Sequence, residues 1–503
     1  MNTYPTSYKF DSSKKSLTAE IFGNRFRTDQ TLYEYLIEFL LVYSSAKDED
    51  LVTGKNSFHK DISDLHYWVE PRMGLRRFVF FDKSRKKGTI PADEKAYKEL
   101  IKILMDKMDG ISDEDERLEI IESIQDLFHG YAVVIKNRFW GAQGLLPICP
   151  EFMFCGCDPN LNQRRNKVDW ENDPISIDNN FEFSKRNFLS KGGELYYLHL
   201  LQGLENRPEE RAKLESLLNN LILDQCKKIS DLANFIQTTW EEKAIGSNEK
   251  ISQKLNCSFI PADAYKECEE YAISELINYL SCSMHPINKI DVLAKGVMFQ
   301  IMRMMANAVA KYLGVSRKTW IVDMKGTAGD TVKKLAAASY SDIESDFMTA
   351  INSLVAQREE EGGEGDEKRI ANVQKAKSDT LDVFRAKGKE LQCIIPVSGP
   401  FERFSLSEDV IRFLVLAIVK PGEKMTVSMF LKKLYEHYGI VIGPEEYKAS
   451  LNDNHAIKEA LSSSFTENVV AFQQFLKGTG FLRELSDATS IVVNPYQSLE
   501  GEV

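Results

Sequence analysis

A chain of 503 residues is too long for one simple core, and 43% hydrophobic with 28% charged residues is the balance of an ordinary globular protein. The net charge of −11 excludes a protein that coats nucleic acid by bulk attraction, so any DNA or RNA contact has to come from local basic patches. Apolar runs such as Phe413 to Val419 fall far short of a membrane span, which excludes a membrane-crossing helix. The first residues, through Lys15, carry no apolar stretch of the kind a signal peptide needs. Eight cysteines at irregular spacing then fit reduced thiols and a cytoplasmic setting.

Taken in order, the chain is polar and basic up to Phe22-Gly-Asn-Arg-Phe-Arg-Thr-Asp29. Leu32, Leu36, Phe39 and Leu40 then recur at helical spacing, predicting a helix over 31–46 with Thr28 or Asp29 as its cap. Between His66 and Gly88, aromatic and β-branched residues mix with basic ones, a texture that reads as short strands joined by turns. Helices are expected from Pro91 to about Met108 and, after the acidic run at Asp113, to about Phe128.

The central stretch from Tyr131 to Cys157 combines a strand-like run, Arg138 and Trp140, two prolines and three cysteines. A polar loop follows over 158–180, then helix from Gly193 onward with a break near Pro208. The run Asp291 to Leu313 is apolar nearly all round, with Met298, Met302, Met305 and Val309 on one face and Gly314 at the stop position, predicting a buried helix. From Arg358, clustered glutamates and glycines predict a mobile linker. The last segment offers helices at 407–419, 428–438 and 467–477, then two short strands flanking a turn at 486–489.

The expected fold is therefore mainly α and multi-domain, with short β segments in the N-terminal and central region. The expected division is a mixed α/β domain over 1–160 with a basic and aromatic hairpin, a helical scaffold over 161–356, an acidic linker or loop over 357–380, and a C-terminal domain over 381–503. Three helices followed by a β-hairpin resemble a winged helix-turn-helix domain, with 467–477 in the position of the recognition helix.

Several constellations are candidates for chemistry. Arg72, Arg76, Arg77, Lys83, Arg85, Lys86 and Lys87 interleave with Phe78, Phe80 and Phe81, and Arg138, Arg164, Arg165 and Lys167 can extend the same surface. Such a stretch contacts phosphates, or else forms a solvated hairpin tip. Cys149, Cys155 and Cys157 with His129 are thiolate and imidazole ligands of the kind zinc takes, but the spacing is not that of paired zinc-ribbon cysteines, and a structural reading is preferred. Asp169, Glu171 and Asp173 are the carboxylates a metal-dependent nuclease would require, without a following Glu-x-Lys pair. Lys325-Gly-Thr-Ala-Gly lacks the residue order of a phosphate loop. His199 is read as a packing residue.

No motif demands a cofactor or names a reaction. On the C-terminal segment the residues facing a nucleic acid would be Asn468, Gln473, Gln474, Lys477 and Arg483. From Phe401 onward, however, about ten basic residues stand against about fourteen acidic ones, a field that favours docking to protein over DNA.

The Phe22-Gly-Asn-Arg-Phe-Arg-Thr-Asp run, the Trp140-Gly-Ala-Gln-Gly-Leu-Leu-Pro segment and the Arg186-Asn-Phe-Leu-Ser-Lys-Gly-Gly-Glu-Leu-Tyr-Tyr-Leu-His stretch resemble accessory proteins of bacterial phage-defence or DNA-restriction gene cassettes. That resemblance implies a non-catalytic subunit of a multi-protein antiviral defence or restriction complex, working beside an ATPase or nuclease. The alternatives are a metal-dependent nuclease with its site near 149–173 and a winged-helix DNA-binding regulator.

Overall fold

The computed structural model describes residues 2–8, 17–84, 91–133, 138, 140–156, 191–244, 252–326, 330–362, 366–451, 459–486 and 489–499. The chain is mainly helical with short strands, and it separates into two compact units that interleave in sequence. One unit comprises Asp29–Tyr197 and Leu218–Cys257, the other Met1–Thr28, Leu198–Leu217 and Ser258–Val503. Among the described residues no helix is long and apolar enough to cross a membrane.

The first of these units is built on the helix Leu32–Ser44, in which every residue after Tyr33 is buried. Its cap is Thr31 rather than Thr28 or Asp29. The Thr31 hydroxyl accepts the Glu34 N–H at 3.2 Å and the Glu34 carboxylate accepts the Thr31 N–H at 2.7 Å. A helix submerged on all sides has to satisfy its own charges. Glu38 does so by accepting the backbone N–H groups of Lys191 at 2.5 Å and Gly193 at 2.8 Å.

Among the described residues of 66–84, the expected strands joined by turns are replaced by one strand and a helix. A strand, His66–Val69, pairs antiparallel with Gln253–Asn256, far along the chain, and the basic and aromatic run that follows is the helix Met73–Phe80. All eight residues of that helix are buried. A fully buried helix has no polar stripe to betray its period, and the alternation of arginine with aromatic residues mimicked a strand.

In the other unit, the helix Pro286–Leu313 is buried over most of its length and closes at Gly314, whose φ of 67° is the left-handed conformation glycine supplies at a helix end. Gly296, midway along, lies against the Phe413 ring of the helix Glu408–Ile418, where a β-carbon would collide. The segment expected as a linker is largely helical. The helix Thr331–Gly362 and the helix Asp366–Ser378 cover its described residues up to Ser378, and they share a small core of Ile351, Val355 and Ala376. Glutamate, lysine, arginine and alanine are good helix formers, and one glycine at a helix end, such as Gly362, subtracts only about 1 kcal/mol.

The C-terminal part has the three expected helices and the two expected strands, with a further short helix, Pro444–Ser450, between the second and third helices that the sequence pattern did not give. Ser407 caps Glu408–Ile418, and Thr426 caps Val427–Tyr438 by accepting the Met429 N–H at 3.2 Å. The helix Glu459–Gly478 is longer than 467–477. The strands Leu482–Ser486 and Thr489–Val493 are antiparallel neighbours, and Thr489–Val493 also pairs with Lys424–Thr426 to complete a three-stranded sheet. A parallel pairing of Trp320–Ile321 with Ile440–Val441 adds a further small sheet in the same unit.

Candidate functional site

Among the described residues, the arginines of the N-terminal basic cluster are largely turned inside their own unit. Arg77 is fully buried, and its Nε and Nη2 both meet Asp93 Oδ1 at 2.9 Å while its guanidinium lies 5.5 Å from the Trp240 ring centroid. Arg76, also buried, donates to the Gly141 carbonyl. Arg138, buried as well, pairs with Glu34 and donates to the Asp29 carbonyl at 2.5 Å. Arg72 is half-buried beside Glu70 and stands over Phe154. Arg76, Arg77 and Arg138, expected on a nucleic-acid surface, are instead turned into the interior: removing a guanidinium from water demands a close counter-charge or carbonyl, and each has one here. Lys83 is more accessible and pairs with Asp126 at 2.8 Å, a bond that raises its pKa. Arg85, Lys86, Lys87, Arg164, Arg165 and Lys167 lie outside the described residues.

The central candidates separate in the same way. Cys149 and Cys155 are buried, and burial pushes the Cys149 thiol far up from its ordinary range, away from the thiolate a metal would take. Among the described residues no group of three His, Cys, Asp or Glu side chains is placed to hold a metal ion. Cys157, Asp169, Glu171 and Asp173 lie outside the described residues. His199 is buried with its ring edge on Tyr265, and burial, assisted by Arg303, lowers its pKa to about 3, so it stays neutral. Lys325 pairs with Glu467 and lies 3.5 Å from Asp330.

Among the surfaces open to a partner is the one made by the helix Glu459–Gly478, the sheet strands and the helices before them; exposed apolar side chains also stand elsewhere, as at Val52 and Phe401. Asn468 faces inward: its Nδ2 donates to the carbonyls of Val322 and Ile442, both at 2.9 Å, and its Oδ1 accepts the Met324 N–H at 2.8 Å. That expected contact residue is a core bracket. Gln473 is half-buried, whereas Gln474, Lys477 and Arg483 are exposed, with Lys477 neutralised by Glu484 at 2.9 Å. Val470 stands on the outer face of the helix at 46% exposure, and Met429 and Leu485 are 53% and 63% exposed. Three accessible apolar side chains on one small substructure are a feature worth explaining, where a single one is not.

A cavity of about 350 Å³ opens on this substructure. Val427, Leu431, Pro444 and Val469 give it apolar walls, and Thr466 and Gln473 enter from the Glu459–Gly478 helix. Glu445 and Glu446 are its charged lining residues, and the Glu446 side chain is largely buried. Burial holds the Glu446 carboxyl above the usual carboxylate range, against backbone N–H bonds from Gly443 and Glu446 itself that pull it down. Sequence reasoning passed over this residue. Gly443-Pro-Glu-Glu marks a helix start, but nothing local to it reveals that residues from 426 to 490 converge around the carboxyl.

The chain matches no protein-family model, no curated protein and no solved structure.

Proposed function

We propose that this protein is a non-catalytic docking subunit that engages another protein through its C-terminal substructure. The observation that carries the reading is the character of the exposed face there. Val470, Met429 and Leu485 offer apolar contact, Lys477 and Lys325 are already neutralised by Glu484 and Glu467, and the cavity beside them is lined by glutamates. A DNA-reading surface needs a set of uncommitted cations and amides turned outward; of the expected set Asn468 is committed inside and Lys477 is paired, which leaves Gln474 and Arg483 exposed.

The order of helices and sheet strands supports reading this region as a winged-helix-like module, an architecture equally suited to docking protein. The setting rests on the resemblance of the three sequence runs to accessory proteins of phage-defence and DNA-restriction cassettes. It makes the partner an ATPase or nuclease acting in the same complex, and it places the protein in the cytoplasm.

The test is to purify the tagged full chain from the cells that encode it, as wild type and as Val470→Asp. A stoichiometric ATPase or nuclease recovered with the wild type and lost with the variant, at unchanged melting temperature, supports the reading. Recovery of both chains alone, or turnover of nucleotide or DNA by the purified chain itself, overturns it.

A further inference from the structure

The cavity beside the Glu459–Gly478 helix has a specific chemical shape. Its apolar lining, Val427, Leu431, Pro444 and Val469, suits a short unbranched hydrocarbon, and the hydroxyl-bearing residues Thr426, Ser428, Thr466 and Ser490 also line it, of which Thr426 caps a helix and Thr466 donates to the Ser462 carbonyl. The carboxylates come from Glu445 and Glu446, and among the described lining residues there is no basic group to answer them. Glu446 is 8% exposed, so its charge is held in a place where water compensates it poorly.

We propose that this cavity receives a single lysine side chain from the docking partner, its methylenes against Val427, Leu431, Pro444 and Val469 and its ammonium at the Glu446 carboxylate. The identity of the source as a partner protein rests on the docking reading above; the ammonium chemistry of the cavity does not. An ammonium suits the site better than a guanidinium. Part of the Glu446 acceptor capacity is taken by the backbone N–H groups of Gly443 and Glu446, so the two free oxygens that a planar guanidinium fork would bridge are not on offer. A compact ammonium takes one carboxylate oxygen and leaves its other protons for water or the hydroxyls of the lining serines Ser428 and Ser490. Bringing a cation to a buried carboxylate whose pKa is raised by burial also removes the cost of leaving that charge unanswered.

The experiment uses the full chain with methyl-labelled valine and leucine, titrated with Nα-acetyl-lysine methylamide, its norleucine counterpart and spermidine. The lysine amide is expected to shift the methyl resonances of Val427, Leu431 and Val469, with the norleucine amide binding about tenfold more weakly or less. Glu446→Gln, which keeps an acceptor for the Gly443 N–H, should weaken the lysine amide by about tenfold and leave the norleucine amide unchanged. Should that variant fail to fold, Ser428→Trp at the exposed rim is expected to block the lysine amide by filling the opening. Equal binding of the two amides, or full lysine binding by Glu446→Gln, overturns the proposal. Spermidine binding about tenfold tighter than the lysine amide reassigns the cavity to a free polyamine and overturns the partner's lysine as its occupant. The two readings fail separately. Partner recovery that persists in Glu446→Gln overturns the lysine contact and leaves docking intact, whereas lysine binding without any recovered partner overturns docking.

Discussion

Two regions of this molecule carry conspicuous arginine, lysine and glutamine residues, and they use them in opposite ways. In the helix Met73–Phe80 and at Arg138 the guanidiniums are turned inward, each answered by Asp93, Glu34 or a carbonyl. On the Glu459–Gly478 helix and its neighbouring strand, Gln474, Lys477 and Arg483 lie at the surface while the amide of Asn468 alone is drawn into the core. The difference teaches that a basic residue in a sequence is a candidate for binding only once its counter-charge is located. In the first region the partners are within the fold; in the second the surface charges are either exposed or neutralised by a neighbour, and apolar side chains and glutamates dominate what is offered.

The comparison is broken most severely by removing one partner of a buried pair. Arg77→Met leaves the Asp93 carboxylate buried without its cation and is expected to cost about 3–5 kcal/mol in chemical unfolding; a loss under about 1 kcal/mol would mean that Arg77 is reachable by solvent and free to act at the surface. Asn468→Leu removes a donor shared by two carbonyls and the acceptor for Met324, and should cost about 1–3 kcal/mol, visible as a lower melting temperature. Glu446→Gln should act in the other direction. Because burial raises the folded-state pKa of Glu446, the folded chain holds a proton that the unfolded chain has already released, and stability is lost as pH rises through that raised value. The variant is therefore more stable than wild type at neutral pH, and the gap closes below the ordinary carboxylate range; a gap that stays constant with pH would contradict the burial of that carboxyl. Smallest of all, Lys477→Ala should change stability by no more than about 0.5 kcal/mol, since the pair it breaks is exposed.

Much of the helical framework was legible because capping is local. Ser407 opened the helix read over 407–419 and Gly314 closed another, whereas Thr426, the cap of the helix read from 428, was not picked out, and the C-terminal strands were read on either side of a turn. What escaped was whatever depends on distant partners. The helix Met73–Phe80 is buried on every side, so its residues carry no period, and the strand before it is completed by Gln253–Asn256, whose pairing no local pattern reports. The inward turn of Asn468 depends on carbonyls at Val322 and Ile442, and the cavity beside it is assembled from two helices, a helix start and a strand. Glutamate and glycine near 357–380 were read for their flexibility, but the described residues on either side of 363–365 are helical up to Ser378.

A C-terminal surface that docks protein, as proposed, and N-terminal arginines held inside the fold together imply that partner recovery depends on apolar contact at Val470 and not on a nucleic acid. The most direct test is quantitative recovery of the partner with wild type, Val470→Asp and Arg483→Ala full-length chains, with nucleic acid measured in the same eluates. The account predicts one stoichiometric protein partner, lost with Val470→Asp, retained with Arg483→Ala and insensitive to nuclease treatment. Eluates in which nucleic acid is the principal companion, and in which Arg483→Ala releases it while Val470→Asp does not, would contradict it.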